Sequence, residues 1–357
     1  IRTGALVTRL LFDADRPAEN RVVGVEFRDG EHLYQADPLH RHGAHAELEQ
    51  AFAAREVILC GGAFNTPQLL QLSGIGPRDV LEAAGVPVRH ELPGVGANLQ
   101  DRYEVSVVYR MKEPFAAMKD ATMTPDPSDP HFQAWQHGEG IYTSNGAVLG
   151  VIDRSRREQT DPDLFLFALL SDFRGYYPGY SQRVRDARRY LTWAILKAHT
   201  RNSAGRVTIR SDDPREPPAI NFHYFDEGNA PEATDLEAVV DAVRRVRKMT
   251  TNYAHLIEAE EVPGPSYRDD DEARERQRLR EFVRNEAWGH HASCTCKIGG
   301  DDDPMAVLDS RFRVRGTRNL RVVDASAFPN IPGLFLVAPV YMIAEKASDD
   351  IIADATG

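Results

Sequence analysis

No run of apolar residues approaches the ~20 needed to cross a bilayer as a helix. The remaining composition, 42% hydrophobic and 27% charged, is ordinary for a globular chain, and we read it as soluble with no transmembrane segment. A basic excess is also missing: 43 Lys and Arg stand against 54 Asp and Glu, a formal charge of −11. A nucleic-acid surface needs basic residues to displace counterions, so nucleic acid is not expected as a partner. Cysteine is scarce. Cys60, Cys294 and Cys296 are too few for a disulfide framework, and the spacing of the last two is too short for a relaxed bridge. Cys60, in the apolar run VILCGG, reads as a buried thiol. This usage leads us to expect a reducing, cytoplasmic compartment. No secretory signal, internal repeat or low-complexity tract is visible. The chain opens on Ile1 rather than Met, from which we expect a further N-terminal segment.

What is present, over 357 residues, exceeds one compact core, so two structural units are expected. GALVTRLLFD and NRVVGVEFRDG are β-branched runs closed by Asp, Asn and Gly, the pattern of neighbouring antiparallel strands. The polar insert EHLYQADPLHRHGAHAELEQAF carries His32, His40, His42 and His45. Without a nearby Cys, and among Pro and Gly, it reads as a solvated excursion rather than a metal site. EVILCGG is a continuous apolar strand that runs into paired glycines and the helical NTPQLLQLSGIG, with Pro67 expected in the first helical turn. This is the βα unit of a doubly wound parallel sheet. Gly61, Gly62 and Ala63 then either face the crevice beyond the strand ends or make a plain tight turn.

Past residue 102 the character changes. YEVSVVYRMK alternates like a half-buried strand, and LTWAILKAH and AGRVTIRSDD add further strands. TDLEAVVDAVRRVRKMT has helical apolar spacing with Asp235 in its opening turn, and DDDEARERQRLREFVRN is a helix with a solvated, charged face. NLRVVDAS is again a buried strand ending in an acid. The stretch after it breaks at Pro332 and Gly333 and enters a helix near Pro339. The expected architecture is α/β plus α+β. A doubly wound, Rossmann-like unit takes residues 1–102 and 300–357, and a second unit, 103–299, is antiparallel sheet covered by helices.

Four blocks, CGGAFNTPQLLQLSGIGP, GVGANLQDR, HHASCTCKIGG and NLRVVDAS with APVYMIAEKASDDI, follow one another in that order. Together they resemble the glucose-methanol-choline (GMC) family of flavin oxidoreductases. The resemblance implies FAD-dependent oxidation of an alcohol to an aldehyde or ketone by hydride transfer to the flavin. FAD would lie in the first unit and a small-molecule alcohol in the second. It implies the Val7 backbone at the adenine, Gly62 and Ala63 near the adenosine, and Asp324 and Ala325 by the phosphates and ribityl chain. Val337, Ala338 and Pro339 would lie toward the flavin ring, where the partial positive charge of the helix start also points. The family's G-x-G-x-x-G cradle is missing, since PGVGANL has no strand before it and no third glycine. The chain thus resembles the C-terminal portion of such a protein, and an N-terminal segment or separate chain is expected to complete the FAD site.

WGHHASCTCKIGG, residues 288–300, sits where the resemblance implies the family's active-site histidine. A neutral imidazole suits proton abstraction near neutral pH, and the resemblance implies that His291 takes the hydroxyl proton. His290 is a flavin neighbour, a second polar contact or a structural imidazole, since adjacent residues of a strand face opposite ways. His291, Cys294 and Cys296 are ligand types that zinc accepts, but three local ligands fall short of a site and no metal is expected. Phe173, Tyr176, Tyr177 and Tyr180 form either a pocket lining or plain core. Tyr177 and Tyr341 are the candidate substrate contacts. Val337 stands where the family supplies His or Asn to the substrate oxygen, a task no aliphatic side chain performs. Arg102 replaces a common histidine, and Cys294 a usual glycine. Two alternatives therefore stay open: the same fold with lyase or photodecarboxylase chemistry, or a subunit inactive until an N-terminal chain joins it.

Overall fold

The structure, a computed structural model, describes residues 1–41, 43, 46–186, 188–231 and 234–356. Its first elements are β1 (Ala5–Phe12), β2 (Val22–Asp29), β3 (Glu47–Phe52), β4 (Val57–Leu59), α1 (Gly62–Leu72), β5 (Ile75–Gly76), α2 (Arg78–Ala83) and β6 (His90–Glu91). Next come β7 (Tyr103–Met111), α3 (Pro130–Gln136), β8 (Ala147–Asp153), β9 (Leu164–Leu169), α4 (Tyr180–Asp186) and β10 (Tyr190–Lys197). The last are β11 (Arg206–Thr208), β12 (Ala219–Asn221), α5 (Thr234–Thr250), β13 (Ile257–Val262), α6 (Glu272–Glu286), β14 (Leu320–Val322) and α7 (Val337–Thr356). The chain divides into two compact units, one of Ile1–Asp101, Asn202–Asn229 and His291–Gly357, the other of Arg102–Arg201 and Ala230–His290. No helix among the described residues is long and apolar enough to cross a membrane.

In the first unit β1 pairs antiparallel with β2, and β2 with β3. The polar insert thus contributes a strand that its sequence does not announce. ELEQAF is exposed along almost its whole length, so no apolar alternation marks it, and only backbone pairing at the sheet edge defines it. His32 and His40 of the insert are tied into a surface turn, His32 Nδ1 lying 2.8 Å from Asp37 and His40 Nδ1 2.9 Å from the His32 carbonyl. His42 and His45 lie outside the described residues. β4 and β14 pair in parallel, but among the described residues the expected doubly wound sheet is limited to these two strands. A two-stranded sheet leaves one side of β4 open. Ile58 is therefore exposed, and so is Cys60, which the sequence placed inside.

α1 begins at Gly62, so Pro67 lies inside it rather than in its first turn. A proline there leaves the carbonyl four residues back without its helical donor. That carbonyl, of Ala63, instead accepts a 2.7 Å hydrogen bond from the Thr295 hydroxyl. Leu10, Val22, Leu59, Leu70, Leu320 and Val322 build the core around these elements.

The second unit is a five-stranded antiparallel sheet in the order β13-β7-β10-β9-β8. α5 packs on β7 and β10, and α6 on α5. Leu236, Val239, Val240, Val243 and Val246 give α5 its buried stripe, at the spacing expected of one helical face. α6 buries only Leu279, Phe282 and Val283, and Asp271 caps it by accepting the Arg274 N–H at 2.9 Å. β7 is buried almost throughout rather than half-buried.

The observed division departs from the expected one in three places. Arg102 opens the second unit, residues 202–229 belong to the first, and the return to the first begins at His291 rather than at residue 300. Long-range hydrogen bonds, which composition does not reveal, decide this. The Gln71 side chain donates to the Val207 carbonyl and accepts from the Ile209 N–H, while Ser293 and Gln100 exchange backbone bonds. α7 starts at Val337, two residues before the expected position.

Candidate functional site

One carboxylate fixes the β4–α1 turn. Asp324, just beyond β14, accepts through Oδ2 from the Gly62 N–H at 3.0 Å and the Thr66 hydroxyl at 2.7 Å, and through Oδ1 from the Ser326 N–H at 2.7 Å. Thr66 Oγ1 in turn accepts from the Gly61 N–H at 2.9 Å. Because β4 and β14 are parallel, the loops at their carboxyl ends meet here, where parallel sheets place their crevice. The two readings of the paired glycines apply to one residue each. A Cβ on Gly61 would lie 3.0 Å from the Thr66 nitrogen, so that glycine serves the turn. Gly62 has φ +78, and a Cβ there would meet no atom within 4 Å, so its backbone faces open space. Beside it, Val7, Cys60, Gly61 and Thr66 line a cleft of about 640 Å³.

Residues 291–296 are fastened along the same turn. The Cys294 N–H donates to the Ala325 carbonyl at 3.0 Å and the Cys296 N–H to the Ser326 carbonyl at 2.8 Å, while Thr295 serves Ala63 as described. Cys294 has φ +76, a left-handed conformation that glycine tolerates best, which accounts for the usual glycine at this position. Both cysteines are buried, and burial pushes the Cys296 thiol up, so it is a packed, protonated group. The segment is not a strand, and the alternation of a pleat does not govern its histidines. His291 is buried, its backbone N–H donating to Asp101 Oδ1 at 2.8 Å and its ring edge-on to Phe335 at 5.5 Å.

His290 belongs to the second unit and is exposed. Its Nδ1 lies 3.2 Å from Oε1 of Glu104, a buried carboxylate on β7. The ring stacks on Trp288 at 5.8 Å and meets Tyr176 edge-on at 4.8 Å. Partial burial first, and then the fully buried Arg102 guanidinium, hold its pKa below the ordinary histidine value in spite of Glu104. The imidazole is therefore neutral at neutral pH.

In the first unit the structure thus joins His291, Gly62, Ala63, Asp324 and Ala325 through one hydrogen-bonded framework, with Val7 on the adjoining cleft. Val337, Ala338 and Pro339 form the first turn of α7. Behind them Val340 and Ile343 pack with Ala325 against Cys294, Phe328, Ile331 and Leu336. Val337 and Tyr341 are 69% and 71% exposed. Tyr177, also exposed, belongs to the second unit. Sequence reasoning missed Asp101, Glu104, Thr66 and Thr295. Of these only Glu104 leaves a signal, as an acid near the start of a strand rich in β-branched and aromatic residues. An open backbone turn at the carboxyl ends of parallel strands, beside a largely apolar cleft, fits the adenosine end of a dinucleotide.

Residues 1–104 and 201–344 match two profiles, each described as GMC oxidoreductase. An oxygen-dependent choline dehydrogenase of Staphylococcus haemolyticus is 34% identical over 361 residues, which covers 98% of this chain and 56% of that protein. The corresponding protein of Pectobacterium atrosepticum is 36% identical over 359 residues, with the same coverage. A formate oxidase variant from Aspergillus oryzae is 24% identical with a TM-score of 0.77, and a fungal aryl-alcohol oxidase 23% identical with a TM-score of 0.71. Each covers 98% of this chain and 60% of the other, and these two show a likeness of fold alone. The chain spans about half the length of the curated relatives it matches. With two family profiles in chain order covering more than half of its residues, the chain belongs to the GMC oxidoreductase family.

Proposed function

We propose that this chain forms the catalytic part of an FAD-dependent oxidoreductase that converts an alcohol to an aldehyde or ketone, with His291 as proton acceptor. The observation that carries the reading is the shared framework of the first unit. His291, hung from Asp101, opens the segment whose next residues bond to Ala325, Ser326 and Ala63. These are the positions that the family likeness assigns to the cofactor. FAD, when bound, supplies the hydride acceptor. Gly62, Ala63, Asp324 and Ala325 would hold its adenosine and phosphate end, with the Val7 backbone at the adenine and Val337, Ala338 and Pro339 toward the ring. The reading includes a further polypeptide segment bearing the glycine-rich cradle, and a reducing, cytoplasmic setting suits the three free thiols.

In this reading His291 takes the hydroxyl proton as hydride leaves the carbon. Its burial limits competing protons from water, and Phe335 against the ring edge restricts its rotation. His290 orients the substrate oxygen, a task that Val337 does not perform. Choline is the first alcohol to test, because the curated relatives are choline dehydrogenases. The test is anaerobic flavin reduction in single turnover. His291→Ala should slow it by about 10²–10⁴-fold, the range of a lost general base, and an unchanged rate would remove His291 from this role.

The exposed aliphatic side chain of Val337 favours one alternative, the same fold running non-oxidative lyase or photodecarboxylase chemistry. Product analysis separates the two. Oxidation reduces one flavin per product formed without oxygen, whereas the alternative turns over with the flavin left oxidised.

A further inference from the structure

The connection from β9 to β10 in the second unit is far longer than the 2–5 residues of a hairpin loop, yet it is tied down at both ends. At its base the Thr192 hydroxyl donates to the Ser171 carbonyl at 2.6 Å and accepts from the Phe173 N–H at 3.1 Å. Next to it Asp172, 3% exposed at its side chain, accepts from Arg174 through both oxygens at 2.7 and 3.1 Å. The same carboxylate accepts from Arg183 of α4 at 2.9 Å. Arg174 also reaches Glu261 on β13 at 2.6 Å. One buried acid therefore clasps the beginning and the far side of the connection, and its partner arginine hooks the edge strand β13. A bidentate pair with a buried member holds geometry far better than an exposed ion pair.

Between these ties the chain carries an aromatic cluster. Phe173 stands edge-on to Tyr176 at 5.2 Å, to Tyr180 at 6.2 Å and to Trp288 at 5.6 Å. Gly175, at φ +101, brings the backbone so near the indole that a Cβ would lie 2.9 Å from Trp288. Tyr176 contacts Trp288 at 5.7 Å and His290 at 4.8 Å, and the residue is still 53% exposed. His290 is thus bracketed by Trp288 on its face, Tyr176 on its edge and Glu104 at Nδ1.

We propose that Asp172 is a positioning residue: by clasping Arg174 and Arg183 it straps Tyr176 against His290, fixing the imidazole plane and presenting the tyrosine ring to the substrate as a determinant of specificity. The link to substrate rests on the functional reading above, in which His290 faces the alcohol. The strap itself does not.

The test uses the flavin-loaded protein and three variants, Asp172→Asn, Tyr176→Ala and Tyr176→Phe. Tyr176→Ala leaves the ionic clasp intact and so guards against a simple folding failure. The first readout is the NMR resonances of the His290 imidazole, assigned by their loss in His290→Gln. The second is KM and kcat for the best alcohol. Asp172→Asn and Tyr176→Ala should shift the resonances and raise KM about three- to tenfold, the worth of an aromatic contact, with kcat nearly unchanged. Tyr176→Phe should keep wild-type values of both. Wild-type resonances in Asp172→Asn and Tyr176→Ala would overturn the strap. Shifted resonances with an unchanged KM would leave the strap standing and overturn its part in substrate choice. Neither outcome depends on His291, whose own variant tests the reaction.

Discussion

Asp324 serves three donors, the Gly62 and Ser326 N–H groups and the Thr66 hydroxyl, from one nearly buried carboxylate. Asp324→Ala strands all three, so we expect unfolding free energy to drop by about 3 kcal/mol in a denaturant titration. Asp324→Asn, which keeps one acceptor oxygen, should cost roughly half of that. His290 gives a second residue-level prediction. Its NMR titration midpoint should lie below the ordinary 6.5, and Arg102→Met should move it part of the way back, because burial, the larger cause, remains. A wild-type midpoint above 6.5 would contradict the neutral imidazole. The sequence motif made a histidine base legible. It did not reveal that a buried carboxylate lies against the His290 ring, because Glu104 is far away along the chain.

α1 continues through its internal proline because a side chain from elsewhere serves the freed carbonyl. Thr295→Val should therefore destabilise the protein by about 1–2 kcal/mol, the cost of a buried acceptor left unserved. Pro67→Ala restores a backbone donor near the Ala63 carbonyl. The double variant should recover most of that loss in a thermal melt, and a simple sum of the two single effects would count against this account. Elements with one buried face were legible: β1 with β2, and α5 with its apolar stripe, show the periods of 2 and 3.6 that burial on one side imposes. β3 was not legible, because exposure on nearly every residue leaves it no period. β7 was misjudged for the opposite reason, with both faces buried behind a sequence that still alternates in polarity.

Two acid windows follow for the whole molecule. His290 and His199 have lowered pKa values, chiefly through burial. The unfolded chain therefore binds more protons just below 6.5, and their contribution, full above that pH, is lost as the pH falls through the folded values. Asp213 beside Arg215, Asp303 beside Lys297, Asp354 beside Arg321 and Asp269 beside Arg274 are also held low, Asp269 at about 2. Their contribution is full above the ordinary 3.8 and disappears as the pH falls toward about 2. Tm should thus hold between about pH 7 and 8, drop through about 6, and fall again below about 4. A Tm that rises on going from about pH 7 to 5 would refute the first window.

Two units were legible from length and from the change of character after residue 102, but their true bounds were not, since strand-like composition does not say which sheet a strand joins. The backbone passes from one unit to the other at residues 101/102, 201/202, 229/230 and 290/291. Neither unit can therefore be excised as a single stretch. A protease nick between β7 and β8 would sever the polypeptide without separating its pieces, because β7 on one fragment remains zipped to β10 and β13 on the other. The nicked halves should travel as one particle through a sizing column and part only in urea.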